Sequence, residues 1–134
     1  MPMILIRYVA AQPAERLDER IADFVARTSS SLLHKDPAVT AVLVEAAAPQ
    51  SWFVGGARPA EAGLSTFWLD IKITQGTNVK AETSAFVGEI FKGMQDLLGP
   101  LHEESYVLVH AVDGDAYGYG GRTQNARWFA AQGS

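Results

Sequence analysis

The segment Val42-Leu43-Val44-Glu45-Ala46-Ala47-Ala48-Pro49-Gln50-Ser51-Trp52-Phe53-Val54-Gly55-Gly56 lies without a gap over Val107-Leu108-Val109-His110-Ala111-Val112-Asp113-Gly114-Asp115-Ala116-Tyr117-Gly118-Tyr119-Gly120-Gly121, at an offset of 65 residues (107 − 42 = 65). Both copies open on Val-Leu-Val, place an aromatic at the same position and close on Gly-Gly. A repeat of this kind constrains the fold strongly, because each copy must be one supersecondary unit that completes its core against the other. The register carries on through the rest of the chain. Met3-Ile4-Leu5-Ile6-Arg7-Tyr8 falls on Trp68-Leu69-Asp70-Ile71-Lys72-Ile73, two short strand-like runs in which Arg7 matches Lys72. Between the strand segments, Leu17, Ile21, Phe24, Val25 and Leu32 recur at helical spacing, as do Phe86, Ile90, Met94, Leu97 and Leu98 in the second copy. Pro13 suits a first helical turn, Asn78 suits the cap of the second helix, and Gly99-Pro100 stops it.

Each copy therefore reads strand, helix, strand. Such a crossover is right-handed, sets its two strands parallel and puts its helix on one face of the sheet. Two copies predict a single α/β (α+β) domain over residues 1–134, a four-stranded sheet with two helices on one face. Repeat one covers about residues 1–60 and repeat two about 66–121, with a connector over 57–66 and a tail over 122–134. Met3, Leu5, Leu43 and Trp68 have the opposite strand parity to Ile4, Ile6, Val44 and Leu69, so both faces of the sheet are apolar. A chain of 134 residues has no third layer left for the second face, which predicts self-association through it. Trp128 and Phe129 suggest that the tail docks on something, such as a neighbouring subunit, with its last residues frayed.

Composition narrows the chemistry. The absence of cysteine removes disulfides, thiolate catalysis and thiolate metal sites. A formal net charge of -4 provides no global basic field for nucleic acid or an anionic membrane, although a small cationic pocket remains compatible with it. The apolar run at the start is too short for a signal peptide or a membrane span, so a cytoplasmic protein is expected. His102-Glu103-Glu104 reads as a polar turn entering a strand, since sequence neighbours there cannot all face one metal. His34 and His110 read as ordinary structural or solvated histidines. No metal or cofactor is implied.

Three features coincide: Met1-Pro2 leading into a strand, a duplicated βαβ unit, and Gly-Gly after the second strand of each copy. Together with Gly76-Thr77-Asn78, His102-Glu103-Glu104-Ser105-Tyr106 and Tyr117-Gly118-Tyr119-Gly120-Gly121-Arg122-Thr123-Gln124, this combination resembles the tautomerase superfamily over roughly residues 1–121. That superfamily includes 4-oxalocrotonate tautomerase, macrophage migration inhibitory factor and 3-chloroacrylic acid dehalogenases, and the chain resembles most its two-repeat bacterial members. The resemblance implies a cofactor-free homotrimer with sites at subunit contacts. It also implies keto–enol isomerisation of a small 2-hydroxy-2-alkenoate or arylpyruvate-like acid. The base would be Pro2, exposed by removal of Met1. Inside a chain the proline nitrogen is a non-basic amide, whereas a free α-amino group has a pKa near ~8. Burial and nearby cations disfavour the charged form, leaving a base that takes and returns protons near neutrality. Without the resemblance, Pro2 reads as a rigid, donor-free residue at the beginning of a strand.

The resemblance also places Tyr106 on the family's active-site tyrosine, which faces a neighbouring subunit's proline; read from the residues alone, Tyr106 is equally a strand aromatic packed in the core. It places Lys35 on a pocket lysine that pairs with an anionic substrate, against a plain reading as a solvated turn residue. Arg122 and Arg127 offer bidentate recognition of a carboxylate from the tail, and Arg122 is the favoured one because it follows directly after Gly120-Gly121. Lys72 is expected to pair with Asp70. Trp52, Phe53, Tyr117 and Tyr119 either line a pocket that desolvates Pro2 or make subunit contacts, the second being the simpler expectation. Ile73-Thr74-Gln75-Gly76-Thr77 lacks the arginines carried there by dehalogenase and decarboxylase members, so those reactions are not expected. The arginine pair of 4-oxalocrotonate tautomerase has no clear counterpart either. Two rival readings stand beside the enzyme: a non-catalytic trimeric binding or signalling module on the same scaffold, and a ferredoxin-like ligand-sensing domain, which predicts a dimer.

Overall fold

The computed structural model describes residues 2–132; Met1, Gly133 and Ser134, and with them the expected loss of Met1 and fraying of the chain end, lie outside the described residues. In chain order the elements are β1 (Met3–Val9), α1 (Leu17–Leu33), β2 (Ala41–Ala46), β3 (Thr66–Thr74), α2 (Lys80–Leu98), β4 (Tyr106–Val112), β5 (Gly118–Tyr119), β6 (Arg122–Thr123) and α3 (Gln124–Gln132). The first four strands in chain order form one mixed sheet, arranged β2-β1-β3-β4. β1 runs parallel to β2 and β3 parallel to β4, while β1 and β3 meet antiparallel at the centre.

The pairing preserves the repeat residue by residue. Met3 sits opposite Ala41, and Trp68 sits opposite Tyr106, the same pair moved along by one repeat. At the centre Met3 opposes Lys72 and Arg7 opposes Trp68, so a pseudo-twofold axis passes through the pair Leu5 and Asp70. The Gly-Gly corners are duplicated too. The bridge between Val54 and Ala57 recurs as the pairing of Tyr119 with Arg122. Gly55 and Gly120 have φ 60°, and Gly56 and Gly121 have φ 80° and 79°, conformations that side-chain-bearing residues rarely hold.

Ile4, Ile6, Leu69 and Ile71 point from the strands onto Ile21 and Val25 of α1 and onto Phe86, Ile90 and Met94 of α2, and all of them are fully buried. The opposite face carries Met3, Leu43, Trp68 and Tyr106, which remain 43%, 49%, 42% and 50% exposed. The rings of Trp68 and Tyr106 lie 5.7 Å apart there. At the centre of this face Lys72 Nζ is 2.6 Å from Asp70 Oδ1, the ion pair the sequence suggested, and His110 Nε2 lies 3.2 Å from Asp70 Oδ2 without hydrogen-bonding alignment. Among the described residues no helix is long and apolar enough to cross a membrane.

The structure corrects three local expectations. α1 begins at Leu17 and not at Pro13, because Arg16 has a left-handed backbone with φ 57° that a regular helix cannot continue through. Its first turn is anchored by Tyr8, whose hydroxyl donates to Asp18 at 2.5 Å. Burial, and then the Asp18 carboxylate, push the Tyr8 phenol up to about 12. Val79, not Asn78, occupies the cap of α2, and its N–H donates to the Glu82 carboxylate at 2.9 Å. Asn78 Nδ2 instead donates to the Leu33 carbonyl at 2.9 Å, tying the end of α1 to the start of α2. The tail is folded as a hairpin strand followed by α3, with Trp128 and Phe129 exposed in edge-to-face contact.

Ile71 is fully buried between both helices, so Ile71→Ala should lower unfolding stability by about 2–5 kcal/mol. Urea denaturation at one fixed protein concentration measures this; a loss confined to a few tenths would contradict the packing.

Candidate active site

Pro2 is buried immediately ahead of β1, and its carbonyl accepts the Ala41 N–H at 3.2 Å. A cavity of about 530 Å³ opens beside it. One wall is Ala38, Val39, Thr40 and Ala41. They are presented by a short turn over Pro37–Val39, in which the Asp36 carboxylate accepts the Ala38 N–H at 2.9 Å and Thr40 Oγ1 donates to the Asp36 carbonyl at 2.7 Å. The other wall is Tyr117, Gly118, Tyr119 and Gln124. It is held by the Tyr117 hydroxyl, 2.7 Å from Thr74 Oγ1, and by the Gln124 N–H donating to the Tyr117 carbonyl at 3.0 Å. Among the described residues no charged side chain lines this cavity.

A second cavity of about 600 Å³ lies on the far side of Gln124, which lines both. It is bounded by His34, Lys35 and Asp36 after α1, by Thr74, Gln75 and Thr77 after β3, and by Asn125, Arg127, Trp128 and Ala131 of α3. Lys35 Nζ donates to Thr77 Oγ1 at 3.0 Å. Its ammonium is held below the ordinary lysine range, because burial disfavours the charged form more than the Glu82 carboxylate favours it. Glu82 is shifted below the usual carboxylate range, chiefly by the Val79 N–H and then by the Asn78 amide, with His34 Nε2 at 2.9 Å adding to the effect.

Of the residues singled out from sequence, Pro2 and Lys35 fall at the same end of the sheet, one in each of these adjoining cavities. Tyr106 does not join them. The antiparallel pairing puts it beside Trp68, at the end of the sheet opposite Pro2. There its hydroxyl donates to Glu104 at 2.5 Å, and that carboxylate raises the phenol's pKa. Among the described residues Arg122 is exposed on β6, lines neither cavity and reaches the Ala126 carbonyl at 3.5 Å. Tyr117 and Tyr119 line the Pro2 cavity, the alternative that ranked second from sequence. Arg127, the less favoured of the two tail arginines, lines the second cavity, whereas Gln124 gave no sequence signal, since nothing in the tail announces a helix folding back on the hairpin. Among the described residues no group of three or more histidine, aspartate and glutamate side chains converges as a metal site would require.

With this geometry in place, the molecule can be set beside solved structures. A macrophage migration inhibitory factor-like protein from Entamoeba histolytica superposes with a TM-score of 0.73 at 20% identity, over 91% of this chain and 97% of that one. A fused 4-OT wild-type symmetric trimer gives a TM-score of 0.80 at 10% identity, over 93% of this chain and 98% of that one. A member of the cis-3-chloroacrylic acid dehalogenase family gives 0.73 at 13% identity, over 96% and 90%. The chain has the tautomerase-superfamily fold. No protein-family model and no curated protein matches the sequence. The tautomerase-like architecture accounts for the duplicated units and for the placement of Pro2 at the head of the central strand β1.

Because Glu82 is depressed in the folded protein, it stabilises the fold fully above its ordinary value of 4.5, and that contribution is lost as pH falls through the lower folded value. Glu82→Gln should therefore be less stable than wild type at neutral pH, and the gap should close as the pH falls below 4.5. Urea midpoints measured across pH 3 to 7 (~4 units, spanning carboxylate titration) test this, and a pH-independent gap would contradict it.

Proposed function

We propose that the chain is a proline-based keto–enol tautomerase of the cytosol that acts on a small 2-hydroxy-2-alkenoate or arylpyruvate-like acid. The observation that carries this reading is Pro2, buried at the head of β1 against a cavity that no charged side chain lines among the described residues. Once Met1 is removed, the Pro2 nitrogen is a secondary amine whose ammonium form burial disfavours. It takes the proton of the substrate's 2-hydroxyl as the oxygen's electron pair forms the carbonyl and the carbon–carbon double bond shifts. The same nitrogen then returns the proton to carbon. The reaction is an isomerisation, so atoms and electrons balance without a co-reactant.

Lys35 offers a cation to the carboxylate, and Arg122 adds positive potential at the hairpin. Tyr106 is proposed to act on a neighbouring subunit's Pro2, which fits its place at the far end of its own sheet. That role needs an assembly, and a homotrimer is supported by the exposed apolar sheet face and by the trimeric state named for the fused 4-OT structures of the same fold.

Ketonisation of 2-hydroxymuconate and phenylenolpyruvate, followed in wild type and Pro2→Ala with intact masses confirming loss of Met1, tests the base directly. The expected result is turnover that falls by roughly 10²–10⁴-fold in the variant. A Met1-free wild type whose turnover survives Pro2→Ala would overturn Pro2 as the base, and one that turns over neither acid would favour the binding-module reading. For the assembly, Leu43→Lys should convert a trimer into monomers in sedimentation velocity while leaving the buried core intact. A wild type that sediments as a monomer or dimer would contradict it.

A further inference from the structure

We infer that Arg127, together with Lys35, forms an anion subsite beside the Pro2 cavity that takes the single carboxylate of an acid whose apolar body lies against Tyr117 and Tyr119. This rests on the tautomerase reading only for what happens to the acid once it is bound.

Arg127 is built into place. Its guanidinium carbon lies 3.9 Å from the Tyr119 ring centroid, and Nε and Nη2 donate to the Tyr119 carbonyl at 3.2 and 3.0 Å. Gly120, at φ 60°, leaves room for it, since a Cβ there would stand 2.5 Å from Nη2. A guanidinium carries five N–H donors, so this anchorage leaves the remaining edge available. Lys35 faces the same cavity and has spent one donor on Thr77.

Both are half-buried, and among the described residues neither has a carboxylate within ion-pair distance, whereas half-buried Lys72 and Arg58 are paired with Asp70 and Glu61. Glu82 acts on Lys35 only from beyond that distance. Arg58 makes the contrast plain: it stacks over Phe53 at the other Gly-Gly corner, 4.7 Å from the ring, yet is paired with Glu61. The nearby carboxylates are already engaged, Asp36 with the Ala38 N–H and Glu82 with Val79, Asn78 and His34. Two half-buried cations without a carboxylate partner, beside a cavity with no charged side chain among the described residues, match a ligand that is anionic at one end and apolar at the other. Gln124, common to both cavities, stands where the two parts of such a ligand join. Among the described residues the Pro2 cavity has no cationic side chain to hold a second carboxylate.

Isothermal titration of the intact, assembled protein with 3-phenylpropanoate and with its neutral amide 3-phenylpropanamide tests the subsite, because neither probe has an enol to convert. Wild type should bind the acid more tightly than the amide. Arg127→Met should weaken the acid by about tenfold or more while shifting the amide by less than about twofold. Arg127→Lys should restore part of the loss, because the charge returns without the planar fork. Gly120→Ala, which leaves every charge in place, should weaken the acid by displacing the guanidinium. Because neither probe can be isomerised, their binding is read whether or not Pro2 acts as the base, so a failed base leaves the subsite standing and a failed subsite leaves the base standing. Failure of wild type to prefer the acid, acid binding unchanged in Arg127→Met, or equal losses for acid and amide would each overturn the subsite.

Discussion

The antiparallel pairing of β1 with β3 through Leu5 and Asp70 is the contact on which the rest of the molecule depends. It joins two βαβ units that would each leave half a core exposed, and it orders the sheet so that both helices fall on one side. Its symmetry also decides where chemistry can happen. The head of β1 lies at one end of the sheet and the head of β3, with Tyr106 beside it, at the other. Pro2 and Tyr106 therefore lie at opposite ends of one chain's sheet, and a site using both has to be completed by a second copy. The same pairing leaves Met3, Leu43, Trp68 and Tyr106 exposed on the face away from the helices, an apolar surface that invites assembly.

The Gly-Gly corners of the two repeats follow strands that end at opposite ends of the sheet, and they have diverged in charge while keeping their backbone. Both corners use consecutive glycines at positive φ, and both lay an arginine over an aromatic ring. At the first corner the arginine is neutralised by Glu61, whereas at the second the chain continues into α3 and presents Arg127 to the cavity that also holds Lys35. Removing a carboxylate partner from a half-buried cation raises its appetite for an external anion, because desolvation has been incurred without compensation. The neighbouring Pro2 cavity, walled by Val39, Tyr117 and Tyr119, has no charged side chain among the described residues, and Gln124, itself buried, lines both cavities.

Much of this was readable from the chain itself. The offset between the copies fixes both parallel pairings, because a one-residue slip would turn Ile4, Ile6, Leu69 and Ile71 out of the core. The alternation also marked the uncovered face, and the spacing of Asp70 and Lys72 on one strand marked their ion pair. Other features depend on tertiary contacts that no local pattern encodes. The start of α1 is set by the left-handed Arg16, and Asn78 leaves its capping role because the Leu33 carbonyl is within reach. Arg122 looked the better tail arginine because it adjoins the glycines. The hairpin turns it outward, and the helical turn after it carries Arg127 back onto Tyr119. That reversal is a consequence of the fold, and proximity along the sequence gave no sign of it.

The most direct test is to observe the Pro2 nitrogen itself, by ¹⁵N NMR of protein labelled at proline and titrated with acid and base. A catalytic base at this position should appear as a secondary amine whose pKa lies below the ~8 of an ordinary α-amino group. A resonance in the amide range that does not titrate, or an amine titrating at or above that ordinary value, would contradict the assignment of Pro2 as the base.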